Sequence, residues 1–186
     1  MATRDGKILL TRDDWTRAAL DAIGEAGVTA VAVERIAKTL GASRGSFYWH
    51  FRDRADLIDA ALELWARENT AELVPELDAI ADPVKRLRTL LRTVYEQPVD
   101  AVELTLSATC DDPVVAPVFG RVTRQRIDVL HRIFSDLGLP PSQAATRAWL
   151  AYAFYIGHHQ LGKNPEAAEL RPDRLDHVVD LLTRGK

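Results

Sequence analysis

The sequence is poor in the residues that usually announce chemistry. It has one cysteine, Cys110, among 186 residues, so no disulfide can close within the chain and a scaffold stapled for secretion is excluded. With no second cysteine for a metal or redox motif, Cys110 is expected to be a small buried hydrophobe. Long apolar runs are missing too. The longest uncharged one, Ala148 to Gly157, is far below the roughly 20 residues that a membrane-crossing helix needs. No membrane partner is expected. Met1 to Leu10 has Arg4 and Lys7 but only Ile8, Leu9 and Leu10 as an apolar run, which fits a short basic arm and not a signal-peptide core. The expected location is cytoplasmic.

Catalytic signatures are equally scarce. There is no phosphate-binding glycine-rich loop, no nucleophile elbow and no HExxH. His131, His158 and His159, with Asp111 and Asp112, invite a metal. Yet no His-x3-His pair occurs, and the adjacent His158 and His159 point about 100° apart on a helix. Neither a metal nor a cofactor is expected, and the protein is read as a non-enzyme. Runs of alternating β-branched and aromatic residues are also lacking, while helical periodicity recurs along the chain. The fold is expected to be all-α.

What is present is unevenly placed. Overall, 24 Lys and Arg face 27 Asp and Glu, for a net charge of −3. Residues 1–54 hold nine basic and seven acidic side chains, whereas the rest holds 15 and 20. An anionic partner is therefore expected at the N-terminal end only.

The first helix is predicted from Thr11, a hydroxyl cap with Asp14 at the third helical position. Its inward stripe is Trp15, Ala18, Ala19, Ala22, Ile23 and Ala26, and Gly27 supplies a stop. Val33, Ile36, Ala37 and Leu40 then form a two-turn stripe. Gly41 ends it and Ser43 caps a further helix whose Phe47 and Phe51 share a face. Asp53 or Arg54 opens a longer helix with Leu57, Ala60, Ala61, Leu64 and Trp65 inward. Beyond Pro75, punctuation by proline, glycine and Asp-Asp-Pro separates five segments, roughly 84–96, 99–109, 114–137, 142–162 and 173–184.

Two short helices across a glycine-containing turn make a helix-turn-helix, whose second member enters the DNA major groove. In that second helix Phe47 and Phe51 point inward, leaving Arg44, Ser46, Tyr48 and His50 on other faces, close to a helix N-terminus that favours phosphate. Trp49 fits core and DNA contact equally well. Arg12 and Arg17 are expected to form a solvated face.

The run Ile36-Ala37-Lys38, Leu40-Gly41-Ala42-Ser43-Arg44-Gly45-Ser46-Phe47-Tyr48-Trp49-His50-Phe51, then Arg54 and Leu57, closely resembles the DNA-binding domain of the tetracycline-repressor (TetR) family. The resemblance covers about residues 8–58 and implies a three-helix helix-turn-helix domain over 1–53, joined to a helical ligand-binding and dimerisation domain over 54–186. It implies that Arg44, Gly45, Ser46 and Tyr48 lie nearest base edges or adjacent backbone. His50 and Arg54 would contact phosphates, and Lys38 and Trp49 complete the DNA-facing set. Chemically, Arg44 can fork onto guanine O6 and N7, and Tyr48 can reach a phosphate or a thymine methyl. Two positions depart from the family pattern: Ala32 stands where Thr is usual, and Glu34 where a basic residue is frequent.

The resemblance further implies a homodimer on a palindromic double-stranded operator, most simply a repressor released by a small organic effector. The expected dimer face is Ala145, Ala148, Ile156, Leu175, Val178, Val179 and Leu182, on the last two helices. The expected effector pocket is drawn from Trp65, Tyr95, Leu104, Phe119, His131, Trp149, Tyr152, Tyr155 and His158. Within the helix 142–161 the inward residues are expected to be Ala145, Ala148, Trp149, Tyr152 and Ile156. Trp65 is the first candidate for coupling ligand to DNA. Two competing functions remain open at this point: an all-helical carrier or enzyme with an incidental helix-turn-helix, and a regulator controlled by a protein partner.

Overall fold

The computed structural model describes residues 3–4, 7–8, 10–96, 100–161 and 172–184. Apart from a two-residue antiparallel ladder, Thr3–Arg4 with Lys7–Ile8, the described chain is helical. Its helices are α1 (Arg12–Ala26), α2 (Val33–Thr39), α3 (Arg44–Phe47), α4 (Arg54–Ala66), α5 (Leu73–Asp78), α6 (Pro83–Glu96), α7 (Ala101–Ala108), α8 (Ala116–Asp136), α9 (Pro141–Leu161) and α10 (Pro172–Thr183). They form two compact units: Met1–Arg67 with Ala101–Phe119, and Glu68–Asp100 with Gly120–Lys186. The first unit thus extends past residue 53, because α4 packs along α1.

The first unit starts from a capping box. The Asp14 amide donates to Thr11 Oγ1 at 3.2 Å, and the Thr11 amide donates to Asp14 Oδ2 at 2.7 Å. Those bonds satisfy two amides that the helix itself leaves without partners. They also hold the Asp14 carboxyl below its usual range, the backbone bond from Thr11 being the largest cause. Along α1, Trp15, Thr16, Ala19, Leu20, Ala22 and Ile23 are buried. Ala26, expected inward, is exposed, since Gly27 at φ +80° turns the chain away while its amide donates to the Ile23 carbonyl at 2.8 Å. Against this stripe lie Leu57, Ile58, Ala61, Leu62 and Trp65 of α4. On another side α7 approaches closely at Gly24, where an added Cβ would come 3.2 Å from Val102 Cγ2. There Thr105 Oγ1 donates to the Gly24 carbonyl at 3.3 Å.

In the second unit, Leu77, Leu87, Leu91, Val129, Ile133, Phe134, Ala148 and Val179 form the core. Asp82 Oδ1 accepts from the Val84 amide at 2.8 Å and so caps α6. Arg86 ties α6 to α8 through Asp136 at 2.7 Å. Arg147 donates to the carbonyls of Leu182 and Arg184 at 2.6 and 2.7 Å, closing the end of α10.

Three details differ from the sequence expectation. Helix α5, Leu73–Asp78, lies ahead of the five expected segments and contains Pro75; proline is tolerated in a first turn, where no intrahelical amide bond is lost. Cys110 is exposed, in the turn that follows α7. In α9 the buried positions are Ala144, Ala148, Ala151 and His159, while Ala145 is exposed and Trp149 is 62% exposed. Ala144, Ala148 and Ala151 turn inward and allow close helix approach, while Trp149, Leu150 and Phe154 face out.

Phe47→Ala, which removes a fully buried ring, is expected to lower stability by about 3–5 kcal/mol in urea unfolding. Asp14 and Asp56 both have carboxyls held below the ordinary value of 3.8. Their contribution is therefore complete above that value and is lost as pH falls through the lowered ones. In an acid pH series of unfolding measurements, Asp14→Asn and Asp56→Asn are expected to flatten the acid limb.

Candidate nucleic-acid interface and ligand cavity

Helix α3 has a single turn, too short to hold itself together. Its start is fixed by Ser43, whose Oγ accepts from the Ser46 amide at 3.3 Å. Its entry is fixed by Gly41 at φ +64°, a left-handed conformation that side-chain-bearing residues resist. Its underside is the Phe47 ring, which meets Trp15 edge-on at 5.5 Å and stacks on Phe51 at 5.6 Å. The turn continues as Trp49, His50 and Phe51 amides donate back to Ser46 and Phe47 carbonyls.

Arg12, expected on a solvated face, fastens the far end of this element. Its guanidinium donates to the His50 carbonyl and to Asp56 Oδ1 at 3.2 Å, and lies 4.0 Å above the Phe51 ring. Asp56 also accepts from the Arg52 amide at 3.1 Å, the bond that does most to lower its pKa. One arginine thus ties the N-terminus of α1 to the end of the turn that continues α3 and to α4.

With Phe47 and Phe51 buried, the outer surface is polar and aromatic. Arg44 and Gly45 are exposed, Ser46 and His50 half-buried, Tyr48 is 56% exposed and Trp49 88% exposed. Lys38 is exposed on α2. Arg44 is not idle: Glu34 of α2 lies 3.4 Å from its guanidinium, and Tyr48, the larger influence, raises its pKa by hydrogen bonding. Arg54 is placed differently from the other arginines. Its Nε donates to the Val31 carbonyl and a terminal nitrogen to the Val28 carbonyl, both at 2.6 Å. It holds the loop in front of α2, where Ala32 provides no side-chain cap.

The second unit contains a cavity of about 330 Å³. Of the sequence candidates, Tyr152 and Tyr155 line it. Trp65, Leu104 and Phe119 belong to the first unit, where Trp65 stacks on Phe119 at 6.1 Å. Tyr95 and His158 pack on each other at 4.8 Å outside the lining, and His131 and Trp149 are also elsewhere. Residues that the sequence reading missed supply its polar wall: His159, Arg126, Asp100, Glu68, Glu72 and Glu76. Of the expected dimer residues, Ala148, Leu175 and Val179 are buried within the chain, Ile156, Val178 and Leu182 are half-buried, and Ala145 is exposed. Trp149, Leu150, Phe154, Leu161 and Leu181 leave an exposed apolar face on α9 and α10. No group of three or more metal-ligating side chains occurs among the described residues. Nor is any described helix long and apolar enough to cross a membrane.

Residues 16–61 match the family model for bacterial regulatory proteins of the tetR family. The matched segment, residues 16–61, is a tetR-family domain. Among curated relatives, the chain is 40% identical over 62 residues to the class A tetracycline repressor from transposon 1721 of Escherichia coli, covering 33% of this chain and 29% of that protein. It is 37% identical over 91 residues to the HTH-type transcriptional regulator AcrR of Shigella flexneri, covering 48% and 42%. The matches thus span less than half the length of these relatives. In overall fold the chain is similar to reduced NemR of E. coli, with a TM-score of 0.75, 18% identity and coverage of 92% and 94%. It is also similar to Bacillus subtilis FadR, solved in complex with stearoyl-CoA, with a TM-score of 0.71, 15% identity and coverage of 95% and 100%.

Within this tetR-family domain the Arg54 geometry makes a distinct prediction. Arg54→Ala is expected to lower the stability of the first unit by about 1.5–3 kcal/mol, the scale of charge-assisted hydrogen bonds, as read by chemical unfolding. An unchanged unfolding curve with weakened duplex binding would instead mark Arg54 as a phosphate contact.

Proposed function

We propose that the protein is a ligand-responsive transcriptional regulator that binds a near-palindromic operator as a homodimer, most simply as a repressor released by a small organic effector in the cytoplasm. The observation that carries this reading is the one-turn α3, whose aromatic underside is buried while Arg44, Gly45, Ser46 and Tyr48 face outward. Donors of that kind at a helix start suit base edges and phosphates of the major groove. Lys38, His50 and Trp49 flank them and would position the duplex. Arg54 would act indirectly, by holding the loop ahead of α2.

A short reading element gains from duplication. Two half-sites about one helical turn apart, ~34–36 Å, multiply modest affinities and require a two-fold axis. The exposed apolar face of Trp149, Leu150, Phe154 and Leu161, with α10 alongside, supports a helical dimer interface. Ala145 and Ile156 lie on α9 and Val178 and Leu182 on α10, so they belong to the same proposed interface; Leu175 and Val179 back it from the core. The cavity lined by Tyr152 and Tyr155 supports an effector, as does the FadR neighbour, whose structure holds stearoyl-CoA. For release, the effector must bind the DNA-incompetent state more tightly than the competent one.

Glu34 tempers the reader, because it sits beside Arg44 and places negative charge where phosphates would approach. Arg44→Ala and Tyr48→Ala are expected to abolish specific duplex binding while leaving the dimer intact, measured by fluorescence anisotropy and sedimentation. Retained specificity in both variants would overturn the assignment. Glu34→Gln is expected to tighten duplex binding by up to about fivefold, the factor set by the roughly 1 kcal/mol ceiling of an exposed ion pair. Trp149→Glu is expected to shift the sedimentation profile from dimer to monomer.

A further inference from the structure

The cavity of the second unit has an apolar floor, two tyrosines beside it and a buried histidine that the fold leaves without a hydrogen-bond partner. We propose that it binds an uncharged aromatic molecule whose hydroxyl hydrogen-bonds to His159. The inference rests on the reading of the protein as a ligand-responsive regulator and names the chemistry of its effector.

Leu77, Leu91, Val129 and Leu130 are buried and form the floor. Tyr152 and Tyr155 stand beside it with ring centres 6.0 Å apart. Together they give an aromatic body a place out of water and rings to pack against. The volume, about 330 Å³, lies at the small end of the ~300–1,000 Å³ usual for ligand sites. The charged groups of the lining are committed elsewhere. Arg126 Nε donates to Thr70 Oγ1 at 2.9 Å, a terminal nitrogen donates to the Asn69 carbonyl at 3.4 Å, and the guanidinium lies 5.6 Å from the centre of the Tyr155 ring. Glu68, Glu72 and Asp100 have interactions of their own, and Glu72 and Glu76 are exposed to solvent. An ion of either sign would give up its water with no counter-charge reserved for it, a cost that an uncharged ligand avoids.

His159 shows where such a ligand carries its polar group. It lines the cavity and is 4% exposed, yet neither ring nitrogen has a hydrogen-bond partner among the described residues. Its neighbours on the lining are better served: the Tyr152 hydroxyl shares a hydrogen bond with Thr123 Oγ1 at 3.1 Å, and Thr70 Oγ1 accepts from Arg126. The Tyr155 ring meets the imidazole edge-on at 4.4 Å and holds it in place. The Val94 carbonyl influences the imidazole but lies outside hydrogen-bond geometry with it. Burial, aided by the neighbouring His158, keeps the ring neutral by lowering its pKa. It therefore presents one N–H and one basic nitrogen, and burying both without partners is costly. A hydroxyl donates as well as accepts, so it can pair with either nitrogen. A phenol, being the stronger acid, donates to the basic nitrogen better than an aliphatic alcohol does. A hydrocarbon ligand would leave His159 unpaired.

The test uses four molecules that share one body: 4-propylphenol, 4-propyltoluene, 4-propylbenzylamine and 4-propylbenzoate, titrated calorimetrically into the full chain at neutral pH. The phenol is expected to bind at least about fivefold more tightly than the toluene, in which a methyl replaces the hydroxyl, and more tightly than either ion. His159→Phe is expected to erase the preference for phenol over toluene while toluene binding persists, and His159→Gln, which keeps a hydrogen-bonding group, to retain it. Equal binding of phenol and toluene by the unaltered chain, tighter binding of either ion, no binding of any, or a phenol preference that survives His159→Phe would overturn the proposal. Duplex binding measured on the same preparation separates the two claims. Intact duplex binding without a phenol preference removes only the ligand class, whereas a phenol preference without duplex binding removes the regulator reading and leaves the site.

Discussion

The Phe47 ring is the constraint on which the outward surface of α3 depends. A helix of one turn has no stability of its own, since nucleation costs more than so few hydrogen bonds return. Phe47 supplies what the backbone cannot, by filling the space between Trp15 and Phe51. Once that ring is in place, helical geometry leaves Arg44, Gly45 and Tyr48 no choice but to face solvent. Arg12 and Ser43 then fasten the two ends. The polar surface is therefore a consequence of apolar packing beneath it, and its shape is set before any duplex arrives. Such preorganisation reduces the ordering cost of binding.

Electrostatics within that surface are balanced, not simply positive. Glu34 engages Arg44, Asp56 engages Arg12 and Arg52, and Arg54 is given over to two backbone carbonyls. Several cations that would make a featureless basic patch are thus assigned to holding the fold. What remains for a partner is a small set of groups with defined directions, a pattern that suits discrimination better than indiscriminate phosphate binding.

The helix-turn-helix was legible in the sequence because its determinants are local: Gly41 for the left-handed turn, Ser43 for the cap, Phe47 and Phe51 four residues apart. Roles that depend on distant partners were not. Arg54 bonds carbonyls 23 and 26 residues away, and Arg12 reaches a carbonyl 38 residues away, so nothing in their neighbours' identities reveals either task. The inward phase of α9 was misjudged because alanines and aromatics occupy both of its faces, and periodicity alone cannot select one. The cavity was only half legible. Its tyrosines stand out as aromatics, whereas nothing in the residues next to Glu68, Glu72 and Glu76 signals that a cavity lies beside them.

The claim at the centre of this account is that a rigid one-turn helix reads duplex DNA through Arg44, Ser46 and Tyr48. Selection of the purified protein on randomised duplexes, followed by titration of the enriched site at two salt concentrations, tests it most directly. The account predicts an enriched inverted repeat whose affinity falls steeply with added salt, as phosphate neutralisation requires. Absence of any enriched sequence at low salt, with the protein folded, would contradict it.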